Sequence, residues 1–144
     1  MIVLRDLFKV KLDKPSIATI GTFDGVHLGH QKILKSLISS SKETDLNSVL
    51  ITFDPHPRKV INPNSKLELL NTIDEKVDIL KNLGLDYLII HEFSVSFSNI
   101  DAEEFVKVLI QRLNIRKLIV GYDHRFGKNR KADINDLKKF GNKY

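Results

Sequence analysis

His27 and His30 stand three residues apart inside Gly21-Thr22-Phe23-Asp24-Gly25-Val26-His27-Leu28-Gly29-His30, and paired imidazoles at that spacing suit chemistry on a phosphate. The apolar run Ile17-Ala18-Thr19-Ile20 leads into the segment. Gln31-Lys32-Ile33-Leu34-Lys35-Ser36-Leu37-Ile38 leaves it with helical apolar spacing. That order reads as strand, tight glycine turn, helix, and it puts both histidines on the first turn of the helix. Unpaired backbone N–H groups and the positive end of the helix dipole make such a turn an anion site. Attack on an α-phosphate builds charge on its non-bridging oxygens and on the departing pyrophosphate. Imidazoles and N–H groups fixed at a helix start stabilise that charge without covalent help, so the turn suits nucleotidyl transfer. Gly21, Gly25 and Gly29 let the backbone come close to phosphates. Two other readings use the same residues: a histidine that merely caps the helix, and a two-His, one-carboxylate metal site of Asp24, His27 and His30.

Two further segments carry groups of use at such a site. In Thr52-Phe53-Asp54-Pro55-His56-Pro57-Arg58, prolines on both sides of His56 fix its backbone, and Phe53 offers a wall for a flat ring. In Gly121-Tyr122-Asp123-His124-Arg125-Phe126-Gly127-Lys128-Asn129-Arg130, Asp123 can accept from hydroxyls or carry magnesium. Arg125 and Arg130 can pair with phosphates, and Phe126 offers an aromatic face. This second segment is not a phosphate-binding P-loop. Five residues rather than four separate its glycines, and Asn129 replaces the hydroxyl that would hold magnesium. A Gly-x-Gly-x-x-Gly fingerprint is also missing, which argues against hydride transfer.

The elements that must position these groups follow from periodicity. Apolar, β-rich runs at 17–22, 49–53, 87–91 and 117–121 alternate with helical patterns at 30–42, 73–83, 101–113 and 134–140. Thr72 with Glu75 reads as a capping box, Asp101 with Glu104 as an acidic variant, and Asn82-Leu83-Gly84 as a helix stop. Strands alternating with helices predict one α/β domain, an open, mostly parallel sheet with helices on both faces. The stretch 54–71, which holds three of the four prolines, reads as a long irregular loop. All five histidines (27, 30, 56, 91 and 124) fall at or just past predicted strand ends, the rim where open parallel sheets bind ligands.

Composition narrows the function classes. The 144 residues contain no cysteine, which excludes disulfides and thiolate metal sites and points to the cytoplasm. No apolar run approaches a membrane span, and the charged start of the chain is unlike a secretory signal. Of 23 Lys and Arg residues, ten lie in 112–144 against three acids there, while the rest of the chain is close to neutral. Such a patch serves a polyphosphate or nucleic acid, or is a solvated face. Without interleaved aromatics, nucleic acid is the poorer reading.

Taken together, segments 21–31, 52–57 and 121–130 resemble, in order and approximate spacing, the signatures of the adenylyltransferase module of bacterial bifunctional riboflavin kinase/FMN adenylyltransferases, the prokaryotic FAD synthetases. The resemblance spans about 17–141. It implies a Rossmann-like nucleotidyltransferase fold and transfer of AMP from ATP to FMN with Mg2+, giving FAD and pyrophosphate. It further implies that His27 and His30 contact the ATP phosphates and the transition state, and that Gly21, Thr22, Phe23, Asp24 and Gly29 form the nucleotide cradle. Phe53, Pro55, His56 and Pro57 would border the flavin, and Asp123 and Phe126 would meet substrate phosphate or metal and the isoalloxazine ring. The His-x-Gly-His turn is shared with cytidylyltransferases and pantetheine-phosphate adenylyltransferases, which stand as alternatives beside a non-catalytic nucleotide-binding module. This sequence departs from the family at His124, commonly Phe, and Ala132, commonly Gly. The family's later Ser-Ser-Thr-x-x-Arg loop and riboflavin kinase domain are not in residues 1–144, so the resemblance implies a piece of a longer protein.

Overall fold

A computed structural model describes residues 1–121 and 125–144. Five strands form one sheet: β1 (Ile2–Arg5), β2 (Ser16–Ile20), β3 (Asn47–Phe53), β4 (Tyr87–His91) and β5 (Ile115–Ile119). Every pairing is parallel, and the spatial order is β1-β4-β3-β2-β5. The helices are α1 (Leu28–Thr44), α2 (Pro57–Ile61), α3 (Ile73–Lys81), α4 (Val95–Ser98), α5 (Ala102–Leu113) and α6 (Ile134–Lys143).

Alternation along the strands sorts the side chains onto two faces. Ile17, Leu50, Leu88 and Ile90 join Leu34 and Leu37 of α1 and Leu80 of α3 in one buried cluster. Ala18, Ile20, Val49, Ile51 and Ile89 join Phe105, Leu109 and Leu113 of α5 in the other, with Leu137 and Phe140 of α6 packed against it. The central strands β2 and β3 are covered on both faces, and Ser16, Thr19, Ser48 and Thr52 are carried into the interior with them.

Several differences from the sequence expectation have simple causes. The N-terminal strand β1 is an edge of four residues with Ile2 and Val3 exposed, too short and too mixed with charge to show alternation. The stretch 54–71 is not wholly irregular. His56 caps α2, its Nδ1 accepting from the Arg58 N–H at 3.1 Å, and Pro57 opens the helix where no N–H is needed. A second short helix, α4, is capped by Ser94, which accepts from the Phe97 N–H at 3.0 Å. The Thr72–Glu75 capping box forms in both directions. Asp101 caps α5 by accepting from the Glu103 N–H at 2.9 Å. The carboxylate pair that makes a reciprocal acidic box is instead Asp133 with Asp136, at the start of α6.

Candidate active site

The chain moves outward from β2 through β3 and β4 to one side, then returns to place β5 on the other side of β2. The carboxyl ends of β2 and β5 therefore flank the topological switch point, where open α/β sheets bind ligands. Thr19 pairs with Ile119, so the chain leaves β2 at Gly21 and β5 at Gly121 on the same level. The segments 21–31 and 121–130 consequently start side by side.

Between β2 and α1 the backbone is tightly wound. Phe23 (φ 50°), Gly25 (φ 76°) and Val26 (φ 42°) all lie in the left-handed region, which is strained for Phe and especially for a β-branched residue. A short 3-10 turn spans Asp24–Val26, and Phe23 and Val26 bury their side chains beneath it. Gly25 needs glycine for its φ, and a Cβ there would also stand 2.6 Å from Leu70 Cδ1 and displace that side chain.

His27 proves to be the N-cap of α1 rather than its first residue, its Nδ1 facing the His30 N–H at 3.4 Å. The capping role expected of a merely structural histidine is thus filled, but the ring does more than cap. The His27 and His30 imidazoles stack with centroids 3.5 Å apart and planes 20° apart, and His30 also lies 4.7 Å from the Phe23 ring. His27 is exposed, whereas His30 is partly covered and its Nδ1 is buried without a partner among the described residues. Burial first, then the neighbouring His27 and Lys76, hold the His30 imidazole below its ordinary range, with Asp24 acting in the opposite sense. Near neutral pH His30 is therefore an uncharged ring at a helix start.

Asp24 is committed elsewhere. Its carboxylate accepts from the Leu70 N–H at 3.0 Å and from the Asn71 N–H at 3.2 Å, which ties the far end of the 62–71 segment onto the turn. Burial would raise its pKa, but those two N–H groups and the Lys76 charge outweigh it, and the carboxyl sits below its ordinary value. This commitment, and the face-to-face histidine rings, do not converge on one point as a two-His, one-carboxylate metal site requires. Among the described residues no group of three His, Asp or Glu side chains is placed to hold a metal.

Segment 52–58 lies next to this turn. The Asp54–Pro55 peptide is cis, and Asp54 and Pro55 are exposed while His56 is half-buried. A small hollow of about 20 Å3 is lined by Asp24, Phe53, Asp54, His56, Asn71 and Lys76, among others. Burial, opposed by Asp24, keeps His56 below its ordinary pKa. The Phe53 ring faces Phe93 and Phe97, each at 5.6 Å, and Phe97 lines a cleft of about 680 Å3 at the ends of β1 and β4. Asp54 lines both spaces.

Segment 121–130 divides. Arg125 and Arg130 are exposed. Phe126 is 7% exposed, bridges antiparallel to Ala132, and packs 6.3 Å from the Phe105 ring. Gly127 (φ 74°) presses against Ala102 at the head of α5, where a Cβ would meet the Ala102 Cβ at 2.7 Å. Asp123 and His124 lie outside the described residues, and with them the expected carboxylate for metal and phosphate.

Of the rim histidines, His91 belongs to the packing. It ends β4, is 6% exposed, accepts the Leu7 N–H on Nδ1 at 3.1 Å, and lies edge-on to Phe8 and Phe97. One charged side chain inside the site is absent from the sequence expectations. Lys76 of α3 is 6% exposed and donates from Nζ to the Thr22 carbonyl, which also accepts from Thr52 Oγ1 at 3.2 Å. Its signal was a lysine three residues after Ile73, on the apolar stripe.

A doubly covered parallel sheet with a His-x-Gly-His turn at its switch point defines an α/β fold of the nucleotidyltransferase type. Residues 9–144 match the FAD synthetase family, and the chain belongs to that family. It is 40% identical over 135 residues to the bifunctional riboflavin kinase/FMN adenylyltransferase of Buchnera aphidicola subsp. Schizaphis graminum (strain Sg), covering 93% of this chain and 43% of that protein. With the protein of the same description from Escherichia coli (strain K12) it shares 33% identity over 129 residues, 89% of this chain and 41% of the other. The chain thus spans less than half the length of these curated relatives. A solved structure described as a macrolide-efflux protein from Streptococcus pneumoniae superposes with a TM-score of 0.86 at 26% identity, over 97% of this chain and 47% of that one. Among the described residues no helix is long and apolar enough to cross a membrane.

Proposed function

We propose that residues 1–144 carry the adenylyl-transfer half of the two activities in the relatives' names: AMP passes from ATP to the phosphate of FMN, giving FAD and pyrophosphate. The observation that carries this reading is the stacked His27–His30 pair at the head of α1, at the switch point beside the exit of β5. The FMN phosphate oxygen attacks the α-phosphorus of ATP, the bond to the bridging oxygen breaks, and pyrophosphate leaves with the electron pair. His27 and His30 stabilise the charge that grows on the α-phosphate and the leaving group, and the α1 N–H groups add the field of the helix start. The orphaned His30 Nδ1 is a polar atom of the kind a bound group completes.

Gly21, Thr22, Phe23, Asp24 and Gly29 are read as the nucleotide cradle. Asp24 acts there through the backbone it ties down rather than by direct contact. Arg125 and Arg130 are the phosphate partners. Phe53, Pro55, His56 and Pro57 border the flavin. Phe126 supports the flavin side from the core. Magnesium belongs to the same reading. It would arrive on the triphosphate, neutralise the developing charge there, and take one or two protein carboxylates, Asp123 first among them. ATP and FMN rather than nucleic acid are the partners, and the cytoplasm is the compartment that supplies them. The basic last third is partly engaged within the chain, Lys143 with Glu103 and Lys117 with Ser40.

The test is direct. With ATP, Mg2+ and FMN the full-length protein that carries these residues should form FAD, read by chromatography, while cytidine triphosphate with a phosphorylated alcohol should give no product. His27→Ala and His30→Ala should each lower kcat by about 3–4 kcal/mol of transition-state stabilisation, a factor of about 10²–10³, with ATP affinity much less affected. Retained turnover in the double variant would remove the basis of the reading.

A further inference from the structure

We propose that Lys76 is a positioning residue for adenylyl transfer: its buried ammonium locks the Thr22 carbonyl and thereby holds the left-handed turn that presents His27 and His30. The inference rests on the adenylyl-transfer reading for its kinetic consequence, but not for its structural one.

A lysine on the inner stripe of α3 loses its hydration, which is unfavourable unless its charge finds acceptors. The acceptor here is a backbone carbonyl, that of Thr22, the residue between the last β2 turn glycine and Phe23. A carbonyl has two lone pairs, and Thr52 Oγ1 takes the second, so Thr22 is gripped from α3 and from β3 together. Directly after Thr22 the chain enters its strained run, with Phe23 and Val26 at positive φ, a path that persists only where its surroundings over-determine it. α3 packs on the 24–26 turn, and the capping box of Thr72 and Glu75 fixes where that helix begins. Asp24 and Asp54 support the lysine charge against its burial. Asp24 in turn holds the Leu70 and Asn71 N–H groups. The nucleotide turn, β3 and α3 thus meet at the Thr22 carbonyl, and the 70–71 backbone is tied to the same turn through Asp24.

The experiment compares Lys76→Met, Thr52→Val and the double variant in the full-length protein, using amide hydrogen exchange and FAD formation. In Lys76→Met, exchange at Val26, Leu70 and Asn71 should accelerate tenfold or more, while the central amides of β3 and β4 change much less. The kcat for FAD should fall tenfold or more with KM for ATP within about threefold. Because both donors act on one carbonyl, the double variant should lose less than the product of the two single losses. Acceleration spread evenly over turn and sheet overturns the proposal, since it marks a merely structural lysine. So does a large rise in KM for ATP with kcat kept, which marks direct phosphate contact, or multiplicative losses in the double variant. If Lys76→Met does not fold, Thr52→Val alone decides: local acceleration at Val26 of about threefold supports the proposal, and none overturns it. Should the full-length wild-type protein form no FAD, the adenylyl-transfer reading fails and the exchange pattern alone judges Lys76.

Discussion

Gly25→Ala tests the turn by its backbone, and Gly84→Ala supplies its control. Both glycines have positive φ, 76° and 90°, but a Cβ at Gly84 meets nothing within 4 Å, whereas at Gly25 it would stand 2.6 Å from Leu70 Cδ1 and 3.3 Å from Leu70 Cβ. Forcing a side chain into the left-handed region costs roughly 1–2 kcal/mol, partly offset by the smaller entropy of the unfolded alanine variant, leaving about 1 kcal/mol. With an unfolding entropy of about 2.1 cal/mol/K per residue, this chain loses about 3 °C in Tm for each such change. Leu70 is 73% exposed, so its tip can swing clear. Its Cβ cannot, and the backbone that Asp24 holds must shift by a few tenths of an ångström. Gly25→Ala should therefore melt slightly lower than Gly84→Ala. The difference in activity should be much larger. Small misplacement of reacting groups costs up to about 100-fold in rate, so Gly25→Ala should lose about 10–100-fold in FAD formation while Gly84→Ala stays near wild type. Thermal melts by circular dichroism and initial rates of FAD formation give both numbers. Equal activities in the two variants would refute the claim that the shape of this turn governs the histidines.

Other expectations arise from the same structure. Phe126→Ala should destabilise the chain by about 3 kcal/mol, because the ring is buried against Phe105; a change in flavin affinity with unaltered Tm would contradict the packing described for it. Thr72→Ala removes one half of the capping box on α3 and should cost about 1 kcal/mol, or about 3 °C in the melt. His30, His56 and His91 all have folded-state pKa values held below the ordinary one, chiefly by burial. Unfolded imidazoles take up protons below about pH 6.5 while the folded ones resist. Stability is then complete above that pH and declines as pH falls toward the lower folded values. Tm should drop between pH 7 and pH 5, and His91→Gln should flatten the slope; an unchanged slope would mean that His91 does not contribute to it.

Much of this arrangement was legible in the residues because local chemistry and global fold agree. The run Ile17-Ala18-Thr19-Ile20 followed by glycine could only be a buried strand feeding a turn, and Thr72 with Glu75 specified a helix start that forms as written. Elements below about five residues carry too few periods to register, which is why β1 and α4 were invisible. Side-chain destinations were harder. Nothing local distinguishes His91, which receives the Leu7 N–H from 84 positions away, from His56, which faces the site hollow. Phe126 was legible as an aromatic face, but its contacts with Phe105 and Ala132 are ones that only the fold creates. Lys76 carried a readable anomaly, a charge on an apolar stripe, but the carbonyl it serves is 54 residues earlier.

The clasp between Asp24 and residues 70 and 71 has an evolutionary corollary. Its partners are main-chain amides, so any amino acid other than proline can stand at 70 or 71 without releasing it. Side chains there are free to drift among descendants of a common ancestor, provided the chain path is kept. Insertions between 62 and 68 can grow outward into solvent without disturbing the bend between β2 and α1, because their far boundary is moored by a carboxylate that reads no side chain at all.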